Sequence, residues 1–218
     1  VELAGADWQR VEDALRTALR SDPAGAVVVL AGSLPPGAPV DAYARLAGIA
    51  AERGARAVVD VAGPPLAATL AVRPWMAKIN ALEAESLTGT IARTLYRSVA
   101  AARSIRAMGA ENAVVTRGVH GAVLVSRDGT WVLGNLPAAH RGRFSVGSGD
   151  AFLAGLLAGI ARGSSMADAL RLAGAAGRRR HFGSIAAIGG APCPDSRRRR
   201  NVRAGSSIVR WDAMATRV

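Results

Sequence analysis

The chain has 218 residues, half of them hydrophobic, which is enough for one domain with a substantial core. Its one cysteine, Cys193, excludes an internal disulfide or a cysteine metal cluster, and it is typical of a reducing cytoplasm. No apolar run approaches the roughly 20 residues of a membrane span, so we expect a cytoplasmic protein without membrane association. The net charge of +12 comes mostly from residues 178–218, which hold ten Lys and Arg against two Asp and Glu.

Helices and strands are predicted to alternate over residues 7–116. Apolar residues at helical spacing predict a first helix over 7–20, and the β-branched run at 26–30 (AVVVL) predicts a strand buried on both faces. Further helices are predicted over 40–53, 64–70, 82–87 and 91–108, and further strands over 56–61, 75–79 and 112–116. This alternation favours a parallel sheet with helices on both faces, which binds ligands at the carboxyl ends of its strands.

The pattern changes after residue 116. Residues 121–126 and 130–133 predict a hairpin, because Asp128-Gly129 is a strong turn signal between two apolar runs. A short strand is predicted within 139–146. Two more helices are predicted over 150–162 and 166–176.

A glycine-rich stretch, residues 145–155 (SVGSGDAFLAG), opens the first of these helices. The start of a helix leaves backbone N–H groups unpaired and carries partial positive charge, which suits a phosphate. A carboxylate at Asp150 would repel that phosphate unless it serves the chemistry, for example by taking a proton from an attacking hydroxyl. The stretch therefore indicates phosphoryl transfer to an alcohol. A plain glycine turn with an Asp helix cap is the alternative.

Four loops are expected on one edge of the sheet, and their sequences resemble the motifs of a known family. Residues 31–37 (AGSLPPG) resemble S-G-S-L-P-P-G, and 78–83 (KINALE) resemble K-P-N-x-x-E. Residues 116–121 (TRGVHG) are similar to a nucleotide loop S/T-x-G-x-x-G, and 145–150 (SVGSGD) resemble T-V-G-A-G-D. The family is that of the ribokinase-like, PfkB-type sugar kinases, in the branch of 1-phosphofructokinase and tagatose-6-phosphate kinase.

The resemblance implies a ribokinase-like, doubly wound, mostly parallel sheet and a role for each residue at a motif position. These residues are the catalytic base, Asp150; the anion hole, Gly147, Ser148 and Gly149; the ATP groove, Thr116, Gly118 and Gly121; the water-mediated magnesium site, Asn80 and Glu83; and the sugar side of the cleft, Gly32 and Ser33. ATP and Mg²⁺ are the implied cofactors, and a sugar phosphate is the implied substrate. The three histidines lack metal-ligand spacing, and no direct protein ligand cluster for a metal is expected.

The resemblance covers residues 1–177, which we expect to be a partial sugar-kinase domain. Family members carry a further segment before the position that matches Val1, with the first strands, much of the sugar pocket and a β lid that dimerises. The fold is therefore expected to be incomplete at its N-terminal side. A homodimer is implied for the full-length family, and self-association or aggregation for this chain. Residues 178–218 are predicted to be a disordered, Arg-rich tail, and the abrupt change in composition suggests a frameshifted reading.

Three classes of function remain open. The first is an ATP-dependent sugar-phosphate kinase, and the second is an inactive kinase fragment that retains only nucleotide binding. The third is nucleic-acid binding through the arginine runs, since phosphate neutralisation is generic. No aromatic interleaving, RNP-like or zinc motif accompanies those runs, which makes the third class the least favoured.

Overall fold

The computed structural model of the protein describes residues 5–20, 25–134, 147–179 and 208–210. The helices are α1 (Gly5–Ala18), α2 (Ala42–Glu52), α3 (Pro64–Ala71), α4 (Ala81–Thr88), α5 (Leu95–Ala107), α6 (Ser148–Ala161) and α7 (Met166–Arg179). The strands are β1 (Val27–Ala31), β2 (Arg56–Asp60), β3 (Met76–Asn80), β4 (Asn112–Thr116), β5 (Ala122–Ser126), β6 (Gly129–Leu133) and β7 (Ile208–Arg210). Apart from the short β7, the described residues form two compact bodies, one from 5–118 and 122–132, the other from 119–121, 133–134 and 147–179.

The first body is built on a sheet in which β1 to β6 follow one another in chain order. β1 to β4 are parallel, and β5 runs antiparallel to β4. Arg127 and Asp128 form the two-residue turn before β6, and Gly129 is the first residue of that strand. The α/β fold expected from the alternating pattern is confirmed, with a mixed sheet rather than an all-parallel one.

The main core of the first body lies on one face of this sheet, where the strands pack against helices. It includes Leu30, Val59, Ile79 and Val115 from the strands and Leu46, Leu70 and Ile105 from the helices. Successive strand residues face opposite sides, so Val58, Met76 and Val114 belong to the other face, and they are also fully buried. Burial on both faces explains why β2 to β4 are nearly continuous apolar runs.

The prediction that β1 is buried on both faces was wrong. Leu30 faces the core and is 5% exposed, whereas Val27 and Val29, on the other face, are 37% and 46% exposed. β1 stands at the end of the strand order, and within the described residues it pairs only with β2. An apolar run specifies a strand, but it does not specify whether the strand is central or terminal.

The helix predicted over 91–108 begins later than expected. α4 ends at Thr88, its C-cap residue Gly89 adopts the left-handed conformation, and α5 starts only at Leu95. Thr94 caps α5, because its hydroxyl accepts a hydrogen bond from the backbone N–H of Arg97 at 3.3 Å. A capping threonine inside an apolar pattern marks the true boundary.

In the second body, α6 and α7 pack with very close backbones. A Cβ placed on Gly155 would lie 2.7 Å from the Cβ of Ala176, and one on Gly159 would lie 2.7 Å from the Cα of Ala169. Glycine is required at both positions because any side chain would push the helices apart.

Some expectations fall outside the described residues. They are the strand within 139–146, most of the tail at 178–218, and Cys193. In the described part of the chain, no helix is long and apolar enough to cross a bilayer.

Candidate functional site

Polar residues end the parallel strands of the first body on one edge. Asn80 and Thr116 are the last residues of β3 and β4, and their Cα atoms are direct register partners. The Thr116 hydroxyl donates to the carbonyl of Ile79 at 3.4 Å. The structure therefore brings Asn80, predicted for the magnesium site, beside Thr116, predicted for the nucleotide groove, because parallel strands share their carboxyl edge.

Asn80 and Glu83 are joined in a capping box at the start of α4. The Asn80 Oδ1 atom accepts from the backbone N–H groups of Leu82 at 2.9 Å and Glu83 at 3.0 Å. The Glu83 Oε2 atom accepts in return from the backbone N–H of Asn80 at 2.8 Å. The N-x-x-E pattern therefore has a local structural role, which satisfies orphan donors of the helix.

Gly32 and Ser33 form the turn that follows β1 on the same edge. The Gly32 N–H donates to the carbonyl of Asp60 at 3.1 Å, and Gly32 has a φ of 89°, which favours glycine. The Tyr43 hydroxyl is within hydrogen-bond distance of two carbonyl oxygens that can accept from it, that of Ala31 at 3.1 Å and that of Gly32 at 3.2 Å. Burial raises the pKa of Tyr43. Ser33 is exposed at the end of this braced turn.

Two glycines of the predicted nucleotide loop have different surroundings. Gly118, in the first body, has a φ of 57°, and apart from its chain neighbours no atom of the described residues lies within 4 Å of a Cβ built there. Gly121, in the second body, has a φ of 87°, and its Cβ would lie 1.9 Å from the Leu133 carbonyl oxygen. Arg117, at the start of the loop, donates to the Arg93 carbonyl at 3.4 Å, and burial lowers its pKa.

The second body holds the start of α6. Gly147 is the N-cap residue in the left-handed conformation, with a φ of 73°, and the helix begins at Ser148. The Ala151 N–H donates to the Gly147 carbonyl at 3.1 Å, so the N–H groups of Ser148, Gly149 and Asp150 precede the first helical hydrogen bond. Asp150 is exposed at the third helical position and is not a cap. Within the described residues its carboxylate makes no hydrogen bond or ion pair.

An ion pair at the edge of the first body was missed in the sequence. Lys78 Nζ donates to Asp60 Oδ2 at 2.5 Å, and the two side chains are only 7% and 13% exposed. The available signal was an acidic residue at the end of a buried strand and a lysine within another. Their pairing depends on strand register, which the sequence does not specify.

Within the described ranges, no group of three or more His, Cys, Asp and Glu side chains could hold a metal. Glu83 supplies a carboxylate, an oxygen ligand that Mg²⁺ takes while it keeps several waters, and Asn80, whose amide oxygen accepts two N–H bonds, orients that carboxylate. This donor set fits a magnesium ion held largely through water.

Polar residues end the parallel strands of the first body, which is typical of α/β sheets that bind ligands, and a glycine precedes the first helix of the second body, which is typical of anion sites. A family model described as "pfkB family carbohydrate kinase" matches residues 8–179. The chain belongs to the pfkB family of carbohydrate kinases.

Curated relatives give the same family. The chain is 39% identical over 164 residues to 1-phosphofructokinase of Xanthomonas campestris pv. campestris, covering 73% of this chain and 50% of the relative. It is 40% identical over 146 residues to 1-phosphofructokinase of Rhodobacter capsulatus, covering 67% and 46%. The chain thus spans about half the length of the curated relatives it matches.

Solved structures agree on the fold. The tetrameric inhibited form of phosphofructokinase-2 from Escherichia coli matches with a TM-score of 0.74 and 26% identity, over 83% of this chain and 58% of that one. Ribokinase of Arabidopsis thaliana, complexed with ribose and ATP, matches with a TM-score of 0.61 and 22% identity, over 81% and 53%. The ribokinase-like fold expected from the motifs is confirmed.

Proposed function

We propose that this chain carries the phosphoryl-transfer machinery of an ATP-dependent kinase that acts on a hydroxyl of a sugar phosphate. The observation that carries the proposal is the start of α6, where a left-handed Gly147 precedes the helix and an exposed Asp150 stands in its first turn. The names of the curated relatives, 1-phosphofructokinase, support the substrate class.

Asp150 is the proposed catalytic base. Its carboxylate accepts the proton of the sugar hydroxyl as that oxygen bonds to the terminal phosphorus of ATP, the bond from this phosphorus to the bridging oxygen breaks, and ADP leaves. The backbone N–H groups at Gly147, Ser148 and Gly149 stabilise the charge on the transferring phosphoryl oxygens. A carboxylate engaged in capping would be less available for this proton, and Asp150 is not so engaged.

Thr116, Gly118 and Gly121 are proposed to line the ATP groove, and Gly32 and Ser33 to lie on the sugar side. The open space around a Cβ at Gly118 leaves room for a ligand there. The turn at Gly32 is held by Asp60 and Tyr43, which would keep the exposed Ser33 in place for a polar substrate.

Asn80 and Glu83 are proposed to hold Mg²⁺, mainly through its water ligands. When bound, the ion would neutralise charge on the ATP phosphates. The capping box fixes the Glu83 carboxylate relative to the end of β3, so the chain presents that charge without reorganisation.

The test is phosphoryl transfer from Mg·ATP to fructose 1-phosphate, fructose 6-phosphate and tagatose 6-phosphate, with the Asp150→Asn variant beside the unaltered chain. Asp168→Asn is the matched control, because Asp168 is likewise the third residue of a helix, α7. We expect Asp150→Asn to lower kcat by about 10²- to 10⁴-fold, the range of general-base catalysis. Asp168→Asn should leave kcat unchanged.

Each outcome separates the candidates. Equal loss in both variants would indicate a general effect on the fold and contradict the role of Asp150. Binding of Mg·ATP without transfer to any of the three sugars would favour the alternative, a kinase-derived chain that only binds nucleotide. Absence of both binding and transfer would refute the proposed function.

A further inference from the structure

Tyr43, on α2, directs its hydroxyl at the turn that follows β1. The residue is only 9% exposed, and its hydroxyl oxygen lies 3.1 Å from the Ala31 carbonyl oxygen and 3.2 Å from the Gly32 carbonyl oxygen. A hydroxyl has one proton to donate, so the two carbonyls share it. The carbonyls of two successive residues therefore lie on the same side of the chain, the side of Tyr43.

The direction of these carbonyls decides where the N–H groups of the turn point. Gly32 has a φ of 89°, in the region that favours glycine, and this allows the chain to leave the extended course of β1. In the described chain no peptide bond is cis, and a trans peptide carries its N–H opposite its carbonyl. The N–H groups of Gly32 and Ser33 are therefore both directed away from Tyr43.

These two N–H groups differ in their partners. The Gly32 N–H donates to the Asp60 carbonyl at 3.1 Å, which continues the pairing of β1 with β2. The Ser33 N–H makes no hydrogen bond within the described residues. Ser33 is exposed, at the same edge of the sheet where β3 and β4 end in Asn80 and Thr116. The turn thus presents a backbone donor at the edge where α/β sheets bind their ligands.

Glycine alone does not fix this donor. A glycine adopts both signs of φ, so the peptide group between Gly32 and Ser33 can turn over and present its carbonyl in place of its N–H. A carbonyl oxygen at this place would repel the oxygens of a phosphate, whereas an N–H attracts them. The Tyr43 hydroxyl stabilises one orientation, because the Gly32 carbonyl reaches it only when the Ser33 N–H points away.

We propose that Tyr43 is a positioning residue for the sugar phosphate, whose hydroxyl holds the peptide group between Gly32 and Ser33 so that the Ser33 N–H donates to an oxygen of the substrate. This inference rests on the proposed kinase function, in which the turn lies on the sugar side. Tyr43 does not touch the substrate and acts through the direction of one peptide group. Loss of its hydroxyl therefore weakens binding of the sugar phosphate and leaves binding of Mg·ATP unchanged.

Steady-state kinetics of Tyr43→Phe with fructose 1-phosphate, fructose 6-phosphate and tagatose 6-phosphate measure this effect. We expect the KM for the sugar phosphate to rise about fivefold, the scale of one hydrogen bond, with kcat and the KM for ATP unchanged. Tyr96→Phe is the chemical control, because it removes the hydroxyl of a residue that is 72% exposed. Thr69→Val is the stability control, because it removes a buried hydroxyl that donates to the Pro65 carbonyl at 2.7 Å. Neither control should change the KM for the sugar phosphate.

The orientation of the peptide group is measured separately, by NMR of the full chain without ligand. The three-bond coupling between the amide and α protons of Ser33 reports φ at Ser33, which changes when the preceding peptide group turns over. We expect the coupling of a single conformer in the unaltered chain and in Tyr96→Phe, and an averaged coupling in Tyr43→Phe. An unchanged coupling in Tyr43→Phe would overturn the proposal, because the hydroxyl would then not select the orientation.

Further outcomes separate this inference from the kinase function. An equal rise of the KM for the sugar phosphate in Tyr43→Phe and Thr69→Val would show that the hydroxyl acts only through stability, and it would overturn the proposal. A chain that binds Mg·ATP, but whose Ser33 amide signal is not shifted by any of the three sugar phosphates, would refute the inference alone. A chain that binds no Mg·ATP and transfers no phosphate would refute the kinase function itself.

Discussion

The two glycines of the nucleotide loop should respond very differently to alanine. A Cβ on Gly121 would lie 1.9 Å from the Leu133 oxygen and 2.6 Å from the Gly134 oxygen, both backbone atoms. Neither oxygen can rotate away as the end of a side chain could, so the backbone must shift by about 1 Å or more to restore contact distance. Around Gly118 the same Cβ would meet no atom of the described part of the chain within 4 Å, apart from its chain neighbours.

The magnitudes follow from these contacts. Both glycines have positive φ, and an L-residue in that conformation destabilises the folded state by about 1–2 kcal/mol. Replacing glycine by alanine also makes the unfolded chain less flexible, which stabilises the folded state by about 0.4–1 kcal/mol. Gly118→Ala should therefore lower the free energy of unfolding by about 1 kcal/mol. Gly121→Ala adds an overpacking cost of about 1–3 kcal/mol, giving a total of about 3 kcal/mol.

Urea unfolding of the two variants, followed by circular dichroism, measures the difference. With a slope of about 2 kcal/mol/M, the two midpoints should lie about 1 M apart, with Gly121→Ala the lower. Equal midpoints would refute the steric reasoning. The pair also guides functional tests, because loss of ATP affinity in Gly118→Ala would report on the ligand, whereas the same loss in Gly121→Ala would report on the fold.

Three further changes test individual contacts by urea unfolding. Tyr43→Phe should cost about 1 kcal/mol, because it removes the hydroxyl that braces the turn at Gly32; no loss would mean that the bond contributes nothing. The pKa of Asp168 is lowered by its hydrogen bond from Ser165 and then by Arg171. The free energy of unfolding lost in Asp168→Asn should therefore be constant above the usual pKa of 3.8 and vanish as the pH falls through the lowered value. A difference in stability between the variant and the unaltered chain that persists in strong acid would contradict this. Gly159→Ala should cost about 1–2 kcal/mol despite the better helix propensity of alanine, and a stabilised variant would show that α6 and α7 separate freely.

The sequence predicted the strands of the first body well, because strong β-branched runs are bounded by turn residues. β4 was predicted at its observed limits, and β2 and β3 to within one residue at either end. Exposure of β1 was not predictable, since it depends on the place of that strand in the sheet. The late start of α5 was visible in principle, as Thr94 is a capping residue, but the apolar residues before it obscured the boundary.

The candidate site shows the same division between local and long-range signals. Asn80 and Glu83 are three residues apart, and their contact follows from helix geometry alone. Lys78 and Asp60 are 18 residues apart, and they meet only because β2 and β3 pair in one register. A shift of one residue would place them on opposite faces, so no motif in the sequence could have identified the pair.

The capping box also predicts unequal roles for Asn80 and Glu83 in metal binding. Asn80 Oδ1 already accepts two N–H bonds, which uses both of its lone pairs, whereas Glu83 uses one carboxylate oxygen for one bond. Glu83 is therefore the residue that offers charge to magnesium or its waters, and Asn80 is the residue that orients it. Glu83→Gln, which preserves the capping box, should raise the magnesium concentration for half-maximal turnover, while Asn80→Asp, which retains a capping oxygen, should not. The opposite ranking in a magnesium titration would assign the ion to Asn80 and contradict this reasoning.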